Sequence, residues 1–207
     1  MDLLPTEIRV LGCLLEKQIT TPETYPLSLN SLRAACNQST NRDPVVDYDD
    51  SAIRDALNRL GQRRYTRLTS GPGSRAPKFR HLLDETLPLP PPGRAVLTVL
   101  MLRGPQTPGE LKQRADRLHP FPDLESVHEA LVTLVEEELA QQLVRRPGQK
   151  EERYGHLLDD QALEALEPPP AGESPVEFVP REDRVSRLEG EVAALREEVQ
   201  ALRALIE

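Results

Sequence analysis

Three short blocks occur twice along this chain in the same order, two of them at nearly the same separation. Ala52–Leu60 (AIRDALNRL) returns as Ser126–Leu134 (SVHEALVTL), 74 positions later. Phe79–Glu85 (FRHLLDE) returns as Tyr154–Asp160 (YGHLLDD), 75 positions later. Arg9–Leu15 (RVLGCLL) has its counterpart in Ala95–Met101 (AVLTVLM). Three blocks in one order mean one supersecondary unit written twice, which restricts the fold more than any single motif does. Two proline clusters, Leu87–Gly93 (LPLPPPG) and Glu167–Pro175 (EPPPAGESP), read as linkers, because proline removes a donor and resists continued helix or sheet. The expected organisation is a first domain over residues 1–86, a linker over 87–93, a second domain over 94–166, a linker over 167–180 and a separate helix over 181–207.

Each repeat reads as three helices and a hairpin. In the first, Ile8, Leu11 and Leu15 form the stripe of a helix from Thr6 to Lys17. Ser28 caps a second helix over Leu29–Cys36, with Leu29, Leu32 and Cys36 inward. Asp49 caps a third over Asp50–Arg63, with Ile53, Leu57 and Leu60 buried and Tyr48 placed to staple onto Ile53. Two extended runs then flank Gly71-Pro72-Gly73, a hairpin tip. In the second repeat a helix spans Gly93–Leu102, and Thr107-Pro108-Gly109-Glu110 is a capping box with proline at the first helical position. That box opens a helix burying Leu111, Ala115 and Leu118. The third helix starts after Asp123 and buries Val127, Leu131 and Leu134, and Pro147-Gly148 tips the second hairpin. Three helices followed by a β hairpin is the winged-helix plan. The expected fold class is therefore mainly α with small β hairpins (α+β): two tandem winged-helix domains and a C-terminal coiled-coil helix.

Composition agrees with small helical cores. Aromatic residues are 3% of the chain and tryptophan is absent, so burial rests on Leu, Val and Ala. No apolar run approaches the roughly 18 residues of a membrane span. The N-terminus lacks a basic lead and a small-residue cleavage site, so the expected location is the cytoplasm. Cys13 and Cys36 read as buried free thiols in a reducing compartment. No Cys or His pair has ligand spacing, so no metal and no cofactor are expected.

Four blocks carry a family resemblance: Arg9–Lys17 (RVLGCLLEK), Thr20–Leu32 (TTPETYPLSLNSL), Ala35–Val46 (ACNQSTNRDPVV) and Pro147–Asp159 (PGQKEERYGHLLD). Over residues 5–160 the chain resembles the bacterial YceH family, an uncharacterised protein family. The resemblance implies a tandem winged-helix fold. It brings no activity, substrate or catalytic residue with it.

The net charge of -8 is unevenly spread. Ser51–His81 holds eight basic side chains and one acidic, whereas the acidity sits toward the C-terminus. In a winged helix that binds DNA the third helix enters the major groove and the wing touches phosphate. The outer face of that helix offers Arg54, Asn58, Arg59, Gln62 and Arg63, with Arg64 just beyond. The hairpin adds Arg67, Arg75, Lys78 and Arg80. Arg pairs with guanine, Asn and Gln with adenine, and the hairpin cations suit phosphate. The competing reading is a solvated basic face, since Arg outnumbers Lys by 22 to 4 and is a compositional habit. The second repeat is an internal control. At the same offset Gln62, Arg63 and Arg64 become Glu136, Glu137 and Glu138, which phosphate repels, so a protein-contact or spacer role is expected there.

The polar joint after Cys36 offers Asn37, Gln38, Asn41 and Arg42. One reading has Asn41 and Arg42 contacting nucleic acid. The other is structural: Asn37 as a left-handed helix stop, Asp43-Pro44 as a turn and amides capping backbone groups. His81 and His156 hold equivalent positions, which points to a repeated structural hydrogen bond. No nucleophile–base arrangement is arguable from spacing, and no enzymatic activity is expected.

The tail carries a heptad pattern. Val185, Val192, Val199 and Ile206 fall at a, and Leu188, Leu195 and Leu202 at d, the choice that favours a parallel two-stranded coil. Facing charges pair Arg184 with Glu189, Glu191 with Arg196 and Glu198 with Arg203. Each such pair contributes only ~0.3–0.5 kcal/mol, and Gly190 costs ~1 kcal/mol relative to Ala. Self-association through this helix is expected; folding back onto the domains or binding another protein are the alternatives. The combined expectation is a dimeric cytoplasmic protein that binds double-stranded DNA through the first repeat and has no membrane contact. The rival is a protein-interaction scaffold with an unidentified protein partner.

Overall fold

The computed structural model describes residues 2–69, 76–144 and 151–159. The heptad tail, with Val185, Leu188, Val192, Leu195, Val199, Leu202 and Ile206, lies outside them, as does Arg75. The first repeat contains α1 (Pro5–Thr20), β1 (Leu27–Ser28), α2 (Leu29–Cys36), α3 (Asp50–Gln62), β2 (Thr66–Thr69) and β3 (Lys78–His81). A short α4 (Leu83–Thr86) leads to the second repeat. That repeat contains α5 (Pro91–Arg103), α6 (Pro108–Ala115), α7 (Glu125–Glu136), β4 (Ala140–Leu143) and β5 (Arg153–His156). The fold is α+β, helices with small antiparallel sheets. Among the described residues no helix is long and apolar enough to cross a membrane.

Local chemistry sets the helix starts. The Ser28 hydroxyl accepts from the Ser31 N–H at 3.2 Å, and the Asp49 carboxylate accepts from the Ala52 N–H at 2.8 Å. Thr107 and Glu110 bond reciprocally at 3.2 and 3.0 Å, closing the capping box. Each cap satisfies donors that the first helical turn leaves unpaired.

The repeat extends to backbone detail. β3 pairs with β2 and also with β1, Leu27 facing Phe79. In the second repeat Gln106 bridges to Tyr154 in the position β1 holds in the first. Both third helices end alike. Arg64 and Glu138 adopt φ of 61° and 55°. The Tyr65 N–H donates to Leu60 O and the Leu139 N–H to Leu134 O, both at 2.8 Å. The Leu83 N–H donates to His81 Nδ1 at 3.3 Å and the Leu158 N–H to His156 Nδ1 at 3.4 Å, so both histidines do structural work.

The two repeats share one core. The described residues form a single compact unit, and α1 packs against α5. Gly12 permits the approach: a Cβ there would sit 3.0 Å from Leu102 Cδ2 and 3.2 Å from Met101 Cβ. α1 is accordingly buried all round from Glu7 to Glu16, and α5 from Ala95 to Leu102, rather than along one stripe. The Leu3 N–H donates to Leu158 O at 2.8 Å and the Asp43 N–H to Leu102 O at 3.0 Å, crossing between repeats. The segment 87–93, expected as a linker, contains the first turn of α5. Pro91 and Pro92 occupy its opening positions, where a missing N–H costs nothing.

Candidate nucleic-acid interface

α3 turns Ile53, Ala56, Leu57 and Leu60 into the core and leaves Arg54, Asn58 and Gln62 exposed, four residues apart on one face. Arg63, Arg64 and Arg67 are exposed just beyond the helix. In the sheet, Arg67 lies opposite Arg80 and Thr69 opposite Lys78. These four share a face, because side chains alternate along a strand. The other face carries Thr66 and His81 into the core.

Several cations of the candidate set are engaged within the molecule. Arg59 Nε donates to Glu7 Oε1 at 2.7 Å, and the Glu7 side chain is fully buried. Arg63 donates to the Asp2 carbonyl. Arg80 pairs with Glu85 at 3.0 Å. Arg54, Arg64, Arg67 and Lys78 have no ion pair among the described residues.

Arg42 requires a correction. Its side chain is fully buried, so it offers nothing to an external polyanion. Nη1 and Nη2 grip the two oxygens of Glu16 at 3.1 and 2.6 Å, while Nε and Nη2 donate to Ala35 O at 3.0 and 2.9 Å. Burial alone raises the Glu16 carboxyl, but Arg42, with Arg117 and Lys17, outweighs it and holds the pKa below the ordinary carboxylate value. Asn41 does not face an open surface alone: its Oδ1 accepts from Arg103 Nη1 at 3.1 Å. Asn37 is not a left-handed stop, its φ being -91°. Its amide instead clamps Tyr48, accepting from the N–H and donating to the carbonyl, both at 2.9 Å. It is Asn41 that adopts φ of 58°.

α7 contrasts with α3. Glu136, Glu137 and Glu138 are exposed where α3 ends in Gln62, Arg63 and Arg64. Leu124, Val132 and Val135 are also exposed, at 43, 54 and 42%. Cys13 and Cys36 are free and buried. Among the described residues no group of three or more His, Cys, Asp or Glu is placed to hold a metal ion.

Sequence reasoning missed a second cationic group: Arg103 on α5, Arg114 on α6 and Arg117 just after it. Within the second repeat the packing of α5 on α6 brings them together, and Asn41 of the first repeat closes on Arg103.

The chain is one of a family of bacterial proteins of unassigned activity. It matches the family described as "Protein of unknown function, DUF480" over residues 3–149, and it belongs to that family. It is 49% identical over 211 residues to a UPF0502 protein of Pelobacter propionicus, covering 100% of this chain and 96% of the relative. It is 47% identical over 200 residues to a UPF0502 protein of Geotalea uraniireducens, covering 95% and 91%. A UPF0502 protein of Shewanella sp. (strain MR-4) is 42% identical over 217 residues, with 98% of each chain covered.

Proposed function

We propose that this is a cytoplasmic, non-enzymatic, tandem winged-helix protein that binds double-stranded DNA through α3 and the β2–β3 hairpin, as a dimer joined by the C-terminal heptads. The twice-repeated order of helix, short strand or bridge, two helices and hairpin supports the fold reading. One observation carries the function. The exposed row Arg54–Asn58–Gln62 runs toward Arg64 and Arg67, whereas the matching end of α7 carries Glu136–Glu138. Two copies of one frame thus differ in sign where a winged helix meets phosphate.

The intramolecular pairs refine which residues to test. Arg59 is a poor probe, because reversing its charge would strand the buried Glu7. Arg54→Glu, Arg64→Glu and Arg67→Glu together change only exposed groups. Fluorescence anisotropy with a labelled duplex at low salt should show micromolar or tighter binding, abolished in the triple variant. Log affinity should fall with log salt by ~0.9 per phosphate contacted. Absence of binding at micromolar protein, or equal binding by the triple variant, ends the reading.

A second reading has its own observation. Val132 and Val135 on α7, with Leu124 just before it, expose apolar surface beside the acidic end of that helix. A docking scaffold would use that face, and its protein contact would survive the arginine replacements and fail with Val132→Asp.

A further inference from the structure

The α2–α3 connection of the first repeat, the C-terminal end of α5 and the C-terminal part of α6 border an open cleft of about 380 Å3. Asn41, Arg103, Gln113, Arg114, Asp116 and Arg117 line it. Three guanidiniums therefore face one lining carboxylate. Two of the neighbouring carboxylates are already shared, and a third, Asp43, offsets part of the like-charge field at Arg103. Glu16 holds Arg42 in a two-point grip and also receives Arg117 and Lys17. Glu110 receives Arg114 at 3.3 Å and Arg153 at 3.0 Å.

Arg103 is the least satisfied of the three. Nη1 reaches the neutral Asn41 amide, and Nε is buried without a hydrogen-bond partner among the described residues. Burial, then the like charge of Arg114, pushes its pKa below the usual guanidinium value. A guanidinium still stays protonated at any physiological pH, so an anion bound between these arginines would relieve their mutual repulsion.

We propose that this cleft binds a small phosphate-bearing anion, held by the guanidiniums of Arg103, Arg114 and Arg117. Planar guanidiniums match phosphate oxygens in paired hydrogen bonds. The volume falls at the small-molecule end of the range for ligand pockets, roughly 300–1,000 Å3. Gln113 and Asn41 supply amide groups, and Asp116 an acceptor for a hydroxyl on the rest of the ligand. The proposal stands apart from the DNA reading: Arg54, Arg64 and Arg67 are not among the residues that line the cleft.

The test follows arginine Nε–H signals in 1H–15N NMR spectra of the full chain while inorganic phosphate replaces chloride at constant ionic strength. The Arg103 and Arg114 signals should shift along one saturable curve with Arg54 unmoved, and Arg103→Gln should weaken the curve about tenfold or more. Arg114→Gln is the second variant, should Arg103→Gln fail to fold. Absence of a saturable shift overturns the proposal, as does an equal shift at every arginine. A short DNA duplex forms the other arm. Signals at Arg103 and Arg114 that follow duplex and ignore inorganic phosphate would move the cleft to the nucleic-acid surface and overturn the small-anion assignment.

Discussion

Replacing Arg42 by Met tests the buried core of the α2–α3 joint. Both side chains of the Arg42–Glu16 pair are fully buried, and both Glu16 oxygens are engaged at 3.1 and 2.6 Å. The replacement keeps much of the volume but leaves Glu16 facing only Arg117 and Lys17, the first of them half-exposed. It also removes the donors to Ala35 O, one of the carbonyls that the last turn of α2 leaves free. Breaking one side of a buried pair costs ~3–5 kcal/mol, a large share of a typical stability of ~5–15 kcal/mol. Removing both sides with apolar residues is often close to neutral, so Glu16→Leu with Arg42→Met should cost far less than the two single changes summed.

The pH dependence gives an independent sign. In the native protein the Glu16 pKa is depressed, so its contribution is complete above the unfolded value of about 4.3 and is lost as pH falls through the folded value. In Arg42→Met burial is no longer outweighed, the carboxyl rises, and stability is lost as pH rises through the new value. The gap between the two proteins should therefore narrow between pH 7 and about pH 5. Urea unfolding followed by circular dichroism at both pH values measures it. A cost under about 1 kcal/mol, or a gap that widens on acidification, refutes the assignment of this pair as the electrostatic anchor of the joint.

Two other perturbations probe the shared core. Gly12→Val places methyl groups where Leu102 and Met101 already lie within 3.0–3.2 Å of a Cβ. Overpacking there should cost ~1–3 kcal/mol, read as a lower urea midpoint. His81 is neutral in the fold, accepting at Nδ1 from the Leu83 N–H and bonding Gln18 through Nε2 at 2.6 Å. Burial, with Arg94 and Arg80 nearby, pushes its pKa down to about 4, so its contribution is complete above the unfolded value of about 6.5 and fades as pH falls toward 4. His81→Asn should flatten the stability profile across that window.

Much of the local architecture was legible because its causes are local. Ser28, Asp49 and Thr107 with Glu110 cap the helices that their sequence positions announce. The repeat offset of 74 residues predicts equivalences down to the left-handed Arg64 and Glu138. What remained hidden arises from contacts between segments distant in sequence. The stripe Ile8–Leu11–Leu15 suggested a one-sided helix, but Val10, Cys13 and Leu14 are buried as well, since α1 also faces α5. Arg42 looked like one more surface arginine because its partner lies 26 residues away on α1. The cleft arginines were equally invisible, since Asn41 and Arg103 meet across a separation of 62 residues.

The helix ends sharpen the contrast between the repeats. Both third helices close with a pair of bonds typical of a left-handed stop: Arg64 N–H to Gly61 O at 3.1 Å with Tyr65 N–H to Leu60 O at 2.8 Å, and Glu138 N–H to Val135 O at 3.1 Å with Leu139 N–H to Leu134 O at 2.8 Å. Glycine is the usual residue there, because a side chain at positive φ costs ~1–2 kcal/mol. Glycine returns about 0.4–1 kcal/mol of that through the freer unfolded chain. Arg64→Gly and Glu138→Gly should each therefore stabilise by up to ~1 kcal/mol. If Arg64 serves phosphate, its replacement trades stability against DNA affinity, while Glu138→Gly gains stability and leaves affinity unchanged. Equal behaviour of the two variants in both assays would mean that the sign difference between the repeats has no bearing on nucleic acid.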